Sequence, residues 1–109
     1  MKNILCALTV AVIIFLTACT KPTEACFIYS PTTVTTTTIV TFNSSCSQNA
    51  SYFNWSFGDN ATDTAITSLT VIHKYSTKGT YNVTLNAKRK DGATLGKDKP
   101  TRTQIVTVQ

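Results

Sequence analysis

Short runs of alternating apolar and polar residues constrain the fold of this chain more than any other feature. From residue 26 onward the runs are rich in Thr, Val, Ile and aromatic residues, and Gly, Asn, Asp and Ser separate them. Alternation with a period of two places every second side chain on one face of a β-strand, and no convincing helical period occurs. Short strands with frequent turn residues are typical of an antiparallel β-sandwich. The sequence therefore predicts an all-β sandwich with about seven strands.

Six of the strands can be assigned from the alternation. They are predicted over residues 27–30, 35–43, 52–57, 69–75, 80–87 and 104–108. Threonine is a strong strand former, so the threonine run over 35–38 is interpreted as an exposed strand edge, with a low-complexity segment as the alternative. If the first two strands form an antiparallel hairpin centred near residue 36, residues 26 and 46 lie opposite each other.

The first 18 residues do not follow this pattern. A short positive start at Lys2 precedes an apolar run over residues 4–16, which is shorter than the roughly 20 residues that a membrane span needs. This length is typical of the apolar region of a secretory signal peptide. The next segment, "LTAC" at 16–19, resembles the signal motif of bacterial lipoproteins, in which the cysteine receives a diacylglyceryl group and becomes the first residue after cleavage.

We therefore predict a lipoprotein signal peptide over residues 1–18, a lipidated Cys19 with a polar tether over 19–25, and a β-sandwich domain over 26–109. Two or three acyl chains, palmitate among them, hold a protein stably on a membrane. The expected location is the bacterial cell envelope, and the neutral Thr20 fits sorting to the outer membrane. Ordinary signal cleavage or an uncleaved anchor is the alternative interpretation.

The cysteines divide according to this prediction. Cys6 leaves with the signal peptide and Cys19 carries lipid, so Cys26 and Cys46 remain as an even pair. Disulfides persist in exported, oxidising surroundings, and a bridge of this span contributes about 3 kcal/mol to stability. We predict a Cys26–Cys46 disulfide, and the alternative is two free buried thiols.

Four short motifs follow one another along the chain at distances that resemble a known family. They are "WSFGDN" (55–60), "HKY" (73–75), "KGTYNVTL" (78–85) and "IVTV" (105–108). Together they resemble the polycystic kidney disease (PKD) domain, an immunoglobulin-like β-sandwich, over about residues 25–108. Ser56 and Asn60 depart from the family pattern, which has Asp and Gly there. The resemblance implies a structural role for Trp55, Phe57, Gly58, Asp59, His73, Tyr75, Gly79 and Tyr81.

An aromatic cluster occupies one face of the third predicted strand, with Phe53, Trp55 and Phe57 at alternating positions. A sandwich buries a tryptophan at this strand position, and a domain this small needs aromatic side chains in its core. We predict that the cluster is core, against the alternative of an aromatic platform for sugar rings. Tyr81 follows a glycine turn and resembles a tyrosine corner, whose hydroxyl bonds nearby backbone.

No enzymatic activity is expected. His73 is the single histidine, and the resemblance makes it a structural residue, whereas a catalytic base needs a nucleophile and an orienting partner. No His/Cys spacing typical of a metal site occurs, and no cofactor other than the lipid is expected. Calcium is the remaining alternative, because Asp59, Asn60 and Asp63 offer hard oxygen ligands without a defined loop motif.

Ligand candidates are the residues predicted to point outward and the basic final hairpin. The candidate surface comprises Tyr29, Tyr52, Asn54, Lys88, Arg89 and Lys90. The basic residues suit anionic headgroups or acidic glycans, or they form a solvated edge that discourages strand aggregation. Nucleic acid is not an expected partner of an envelope-anchored domain. The predicted function is therefore a non-enzymatic envelope lipoprotein that binds protein or polysaccharide; the alternative is a structural subunit of an envelope or surface assembly.

Overall fold

The structure, a computed structural model, describes residues 21–92 and 94–109. Over these residues the chain is all-β, as predicted, with seven strands and no helix. The strands are β1 (Ile28–Ser30), β2 (Ile39–Asn43), β3 (Tyr52–Ser56), β4 (Thr62–Ile66), β5 (Thr70–Lys74), β6 (Gly79–Lys88) and β7 (Thr101–Val108). A helix suited to cross a membrane is likewise not found in this part of the chain.

Two antiparallel sheets pack face to face. One sheet has the order β1-β2-β5 and the other has the order β4-β3-β6-β7. All strands run between two ends of the sandwich. We call the end where the chain enters at Lys21 the N-terminal pole; it holds segments 21–27, 44–51, 67–69, 89–92 and 94–100. The C-terminal pole holds segments 31–38, 57–61, 75–78 and Gln109.

The core lies between the sheets and is built by the alternation that the sequence shows. Val40 and Phe42 on β2 are fully buried, and they face β3 residues Phe53 and Trp55, which are 3% and 2% exposed. Trp55 lies with its ring centroid 5.1 Å from that of Phe27 and 5.7 Å from that of Phe42. The aromatic cluster is therefore core and offers no platform to a ligand.

A disulfide joins Cys26 to Cys46, with 5.3 Å between the Cα atoms. The β1–β2 register pairs Ile28 with Asn43, so the chain on either side of the hairpin brings the two cysteines together. The bridge predicted from the cysteine count and the hairpin geometry is present.

The predicted strand edge over residues 35–38 is wrong. The strand β2 begins only at Ile39, and the threonines before it form a turn in which the Thr38 N–H donates to the Thr35 carbonyl at 3.1 Å. The Thr38 hydroxyl accepts from the Thr35 N–H at 3.0 Å, and the hydroxyls of Thr35 and Thr37 lie 3.1 Å apart. Threonine hydroxyls that bond local backbone stabilise turns in competition with strands, and here that competition prevails over strand propensity.

The strand β4 was not assigned from the sequence. Its segment, TDTAI, has no apolar alternation, and each of its residues is exposed or half-buried. A bulge interrupts its pairing with β3 between Phe53 and Trp55, and Ala65 has a positive φ of 54°. Strands of this kind lie at a sheet edge without a buried face, so the period-two signal does not mark them.

Residues 23–25, the last part of the predicted tether, pack against the sandwich. Thr23 and Ala25 are 1% and 2% exposed, which is the burial of core residues. The Lys99 N–H donates to the Thr23 carbonyl at 2.8 Å, and the Ala25 N–H donates to the Lys99 carbonyl at 2.9 Å. Glu24 also forms a bridge with Gln48. Backbone bonds and burial therefore fix residues 23–25 against the rest of the described domain.

Candidate functional site

The residues of the aromatic-glycine motif meet in one tight turn at the C-terminal pole. Gly58 has a φ of +89°, and a Cβ at this position would lie 2.8 Å from the Asn82 carbonyl oxygen and 2.9 Å from its nitrogen. Only glycine tolerates both this backbone conformation and this close approach of β6. The motif glycine is therefore needed for packing the turn against the neighbouring strand.

Asp59 and His73 form the polar pair of this turn. The two side chains approach with 2.7 Å between Nε2 of His73 and Oδ2 of Asp59. A carboxylate can only accept a hydrogen bond, so the imidazole Nε2 donates. Partial burial acts to raise the pKa of Asp59, but the bond from His73, the Ala61 N–H and the nearby imidazole together hold that pKa below its usual value.

Two tyrosines complete the motif. The Tyr75 hydroxyl is buried and donates to the Phe57 carbonyl at 2.8 Å. Burial and the nearby Asp59 carboxylate raise the pKa of Tyr75 far above its usual value, so it stays a neutral donor. The Tyr81 hydroxyl donates to the Thr77 carbonyl at 2.6 Å, which is the bond that a tyrosine corner makes.

The histidine of this cluster is held as a structural group. Its ring stacks on Phe57 with 4.2 Å between centroids and meets the edge of Tyr75 at 4.7 Å. Within residues 21–92 and 94–109, no Ser, Thr or Cys side chain forms a hydrogen bond with His73. The arrangement joins β5 to the β3–β4 turn.

Both oxygens of Asp59, one of the three residues considered for calcium, already accept hydrogen bonds. One oxygen of Asp59 accepts from the Ala61 N–H at 3.2 Å and the other accepts from His73. Asp63 lies on β4, opposite Trp55 in the register of the sheet. Among the described residues, no group of three His, Cys, Asp or Glu side chains is placed to hold a metal ion.

The outer surface of the four-stranded sheet offers a better candidate site, which we call the polar face. Directly paired residues in antiparallel strands share a face, so the register assigns its members. The pairs place Tyr52 beside Lys88 and Asn54 beside Asn86. The next row places Ser56 beside Thr84, and β7 extends these rows with Thr101 and Thr103. Of the residues predicted to bind a ligand, the polar face brings together Tyr52, Asn54 and Lys88.

Hydrogen bonding on the polar face is only partly satisfied within the described chain. Asn54 accepts from the Ala65 N–H at 2.8 Å, which fixes its amide beside β4. The hydroxyls of Thr84 and Thr103 lie 3.1 Å apart. The Oδ1 atom of Asn86 is buried and has no hydrogen-bond partner among the described residues. A buried polar atom without a partner costs free energy, so this oxygen is an unfavourable feature of the sheet.

A shallow groove continues the polar face at the N-terminal pole. Residues 49–51 line one side and Arg89, Lys90 and Asp91 line the other. The Ser51 N–H donates to the Lys88 carbonyl at 2.7 Å, which joins the groove directly to the row of Tyr52 and Lys88. Asn86 and this groove were not predicted. The alternation of Asn82, Thr84 and Asn86 along β6 is the signal that would have found the asparagine.

Tyr29, predicted to point outward, instead packs against the core. It pairs with Phe42 across β1 and β2, and the two ring centroids lie 5.9 Å apart. The period of two starting from buried Phe27 places Tyr29 on the inner face, so the alternation itself contained the correct orientation.

Arg89, predicted as a ligand residue, is engaged in a clamp that we define by Arg89 and Asp98. Its Nη2 donates to Asp98 Oδ1 at 3.1 Å and to the Lys21 carbonyl at 2.6 Å. The Asp98 side chain is 2% exposed and also accepts from the backbone N–H groups of Leu95 and Thr23. The Leu95 N–H most strongly, together with Thr23 and Arg89, holds the pKa of Asp98 below its usual value despite opposing burial. The clamp therefore fixes the chain where it enters the domain.

Comparison with known proteins agrees with this fold. No curated protein sequence matches the chain significantly. A solved structure from work on the promiscuous specificity of carbohydrate-binding modules of the β-sandwich superfamily matches with a TM-score of 0.69 and 31% identity. The alignment covers 82% of this chain and 35% of that chain, so this chain corresponds to about a third of the other protein's length.

Two domains of similar size also match. The PKD1 domain of the Vibrio cholerae metalloprotease PrtV matches with a TM-score of 0.60 and 22% identity, over 82% of this chain and 99% of that one. The PKD1 domain of Vibrio anguillarum Epp matches with a TM-score of 0.60 and 19% identity, over 82% and 95%. The family model described as "PKD domain" matches residues 20–105, which is most of the sequence, and the chain therefore belongs to the PKD domain family.

Proposed function

We propose that this PKD domain is a non-enzymatic binding module and that the polar face binds a polysaccharide. The single observation that carries the proposal is the row of side chains that the register assembles from Tyr52, Asn54, Asn86 and Lys88. The likeness to a structure from work on carbohydrate-binding modules supports the choice of ligand class.

The chemistry of the polar face suits sugar hydroxyls. Asparagine amides and threonine hydroxyls both donate and accept hydrogen bonds, as sugar hydroxyls do. Tyr52 is half-buried, so part of its ring is open for contact with an apolar sugar face. A flat row along the strands and the groove beyond it fit an extended polymer better than a compact small molecule.

Attachment to the envelope is part of the proposal. The "LTAC" motif supports lipidation of Cys19 after removal of residues 1–18, which lie outside the described residues. Lipid on Cys19 would hold the module at a membrane, with outer-membrane sorting as the expected location. Mass spectrometry of the protein extracted from its native cells tests this part, since a diacylglyceryl cysteine has a distinct mass.

Affinity electrophoresis of the soluble domain against neutral and acidic polysaccharides, with and without calcium, tests the binding proposal. We expect at least one polysaccharide to retard the domain, and Tyr52→Ala to reduce that retardation about tenfold or more, as loss of an anchoring aromatic side chain does. Ile72→Ala is the matched control, because Ile72 is 64% exposed on the outer face of the other sheet. Equal effects of the two substitutions, or no retardation by any polysaccharide, would count against the polar face.

A second candidate function is a structural subunit of a surface assembly. The observation that favours it is the outer face of the three-stranded sheet, where Ile28, Ile39 and Ile72 are 64%, 57% and 64% exposed. Exposed apolar side chains on one sheet face are suited to contact with another copy of the domain. Analytical ultracentrifugation tests this: concentration-dependent association that is abolished by Ile72→Lys would favour assembly.

A further inference from the structure

Exposed lysines of the final hairpin gather at the N-terminal pole. Lys90 and Lys97 lie in the connection between β6 and β7, and both are exposed. Lys99 is exposed and adjoins the N-terminal segment through its backbone bonds to Thr23 and Ala25. Lys21 is exposed at the point where the chain enters. Four exposed lysines therefore share the N-terminal pole.

The acidic residues of the N-terminal pole do not neutralise the charge of its exposed lysines. Asp98 is consumed in the clamp with Arg89, so it neutralises the arginine and leaves the lysines unaffected. The exposed carboxylates of the N-terminal pole are Glu24 and Asp91, fewer than the exposed lysines. A shallow recess lined by Pro22, Thr23, Glu24, Lys97 and Lys99 lies beside the entering chain. The pole therefore carries net positive charge.

We propose that the N-terminal pole docks on an anionic membrane surface through Lys21, Lys90, Lys97 and Lys99. Lipidation of Cys19, on which the orientation rests, is part of the proposed function, and Cys19 precedes Lys21 by two residues. The clamp holds the Lys21 carbonyl against Arg89, so a lipid on Cys19 would bring this pole, and no other, to the headgroups. The sandwich would then stand with the C-terminal pole away from the membrane.

The expected strength follows from screened electrostatics. Each lysine within a Debye length of an anionic surface strengthens binding about fivefold. Neutralising two lysines of the pole should therefore weaken binding about tenfold to thirtyfold. High ionic strength should remove the interaction, because exposed charges are screened.

Vesicle co-sedimentation of the soluble domain, residues 20–109, measures the docking without the lipid. All seven strands, the core and the disulfide lie within this fragment. We expect binding to phosphatidylcholine vesicles that contain phosphatidylglycerol and much weaker binding to phosphatidylcholine alone. The variant Lys97→Gln/Lys99→Gln should show the tenfold to thirtyfold loss, and Lys74→Gln/Lys78→Gln, at the other end of the sandwich, should bind like the unmodified domain.

Thermal unfolding of each variant establishes that it is folded, and Lys21→Gln/Lys97→Gln, which leaves the groove residue Lys90 intact, serves as a second pole variant should the first fail to fold. Equal loss in the pole and control variants, or salt-independent binding to neutral vesicles, would overturn the docking proposal. Polysaccharide retardation measured on the same variants separates the two proposals. A pole variant that loses vesicle binding but is still retarded by the polysaccharide would show that the pole lysines act on the membrane alone. Tyr52→Ala should instead lose polysaccharide retardation and keep vesicle binding.

Discussion

At the scale of single residues, Gly58 determines both the direction of the turn after β3 and its packing against β6. Its positive φ turns the chain after β3, and its lack of a Cβ lets the turn lie against the Asn82 backbone. This turn also places Asp59 beside His73. The Asp59–His73 pair therefore depends on a backbone position that only glycine occupies without strain.

Replacing this glycine tests the argument. Gly58→Ala should lower the free energy of unfolding by roughly 1–3 kcal/mol, because a methyl group meets backbone atoms in a conformation that L residues avoid. Urea denaturation measures the change. Gly96→Ala is the matched control, since nothing lies within 4 Å of a Cβ added there. If Gly58→Ala lowers the free energy of unfolding no more than Gly96→Ala does, the β6 backbone shifts to accommodate the added methyl group at little cost.

The buried hydroxyl of Tyr75 gives a second test. Tyr75→Phe removes the donor of the 2.8 Å bond and leaves the Phe57 carbonyl without it. We expect a loss of about 1–3 kcal/mol in the free energy of unfolding, the cost of an unsatisfied buried group. Tyr52→Phe removes a hydroxyl from the half-buried polar face and should cost less than about 0.5 kcal/mol. Similar losses in both variants would mean that the buried bond contributes little.

Residue patterns in the sequence predicted part of the site and missed the rest for identifiable reasons. Alternation correctly separated inward Trp55 from outward Asn54. Alternation did not reveal that Arg89 forms an ion pair with Asp98, because that pairing depends on how the β6–β7 loop packs against the N-terminal segment. Loop contacts between distant segments leave no period in the sequence.

At the scale of elements, the β6–β7 connection is ordered by Asp98. Its carboxylate accepts from Leu95 within the loop and from Thr23 in the N-terminal segment, so one side chain holds two segments together. The threonine turn before β2 shows the same principle, since side chains that bond local backbone decide where an element begins.

The clamp predicts how stability depends on pH. The pKa of Asp98 lies below its ordinary value of 3.8, so the folded state favours the carboxylate. The stability that this gives is complete above the ordinary pKa and is lost as pH falls through the lower folded pKa. Thermal melts below pH 4 should therefore fall steeply for the unmodified domain.

Asp98→Asn should melt at a lower temperature at neutral pH and should lose less further stability on acidification. Asp63→Asn is the matched control, because no hydrogen bond to its carboxylate occurs in the described part of the chain. The same acid slope in all three proteins would show that the Asp98 carboxylate does not set the acid stability. Asp59, whose pKa is also lowered, should account for part of the slope that remains in Asp98→Asn.

At the scale of the whole molecule, the fold rests on one aromatic core and one covalent bridge. The sequence contained both, since the core follows from strict alternation and the bridge follows from an even cysteine pair. The position of β4 could not be predicted from the sequence, because an edge strand without a buried face has no periodic signal. The packing of the N-terminal segment could not be predicted either, because contacts with loops bury it. The polar face depends on register between strands, which alternation alone does not specify.

Removing the bridge tests how much the small core needs it. Cys26→Ser/Cys46→Ser should lower the free energy of unfolding by about 3 kcal/mol, since the unfolded chain regains the freedom of the closed loop. Urea denaturation of the unmodified domain with and without reductant gives an independent value, which should agree with that of the double variant. A loss below about 1 kcal/mol would show that the core suffices alone.

The bridge also has a mechanical consequence when the domain is pulled from its two ends. Tension applied between Lys21 and Gln109 passes through Cys26 to Cys46 by covalent bonds, so β1 and β2 lie in a closed loop that the pull cannot extend. The segment before the bridge pairs in parallel with the chain at Lys99, through backbone hydrogen bonds of Thr23 and Ala25. The same pull therefore loads these hydrogen bonds in shear, so that they resist together and are not broken one at a time. The closed loop between Cys26 and Cys46 would therefore keep its contour length under load.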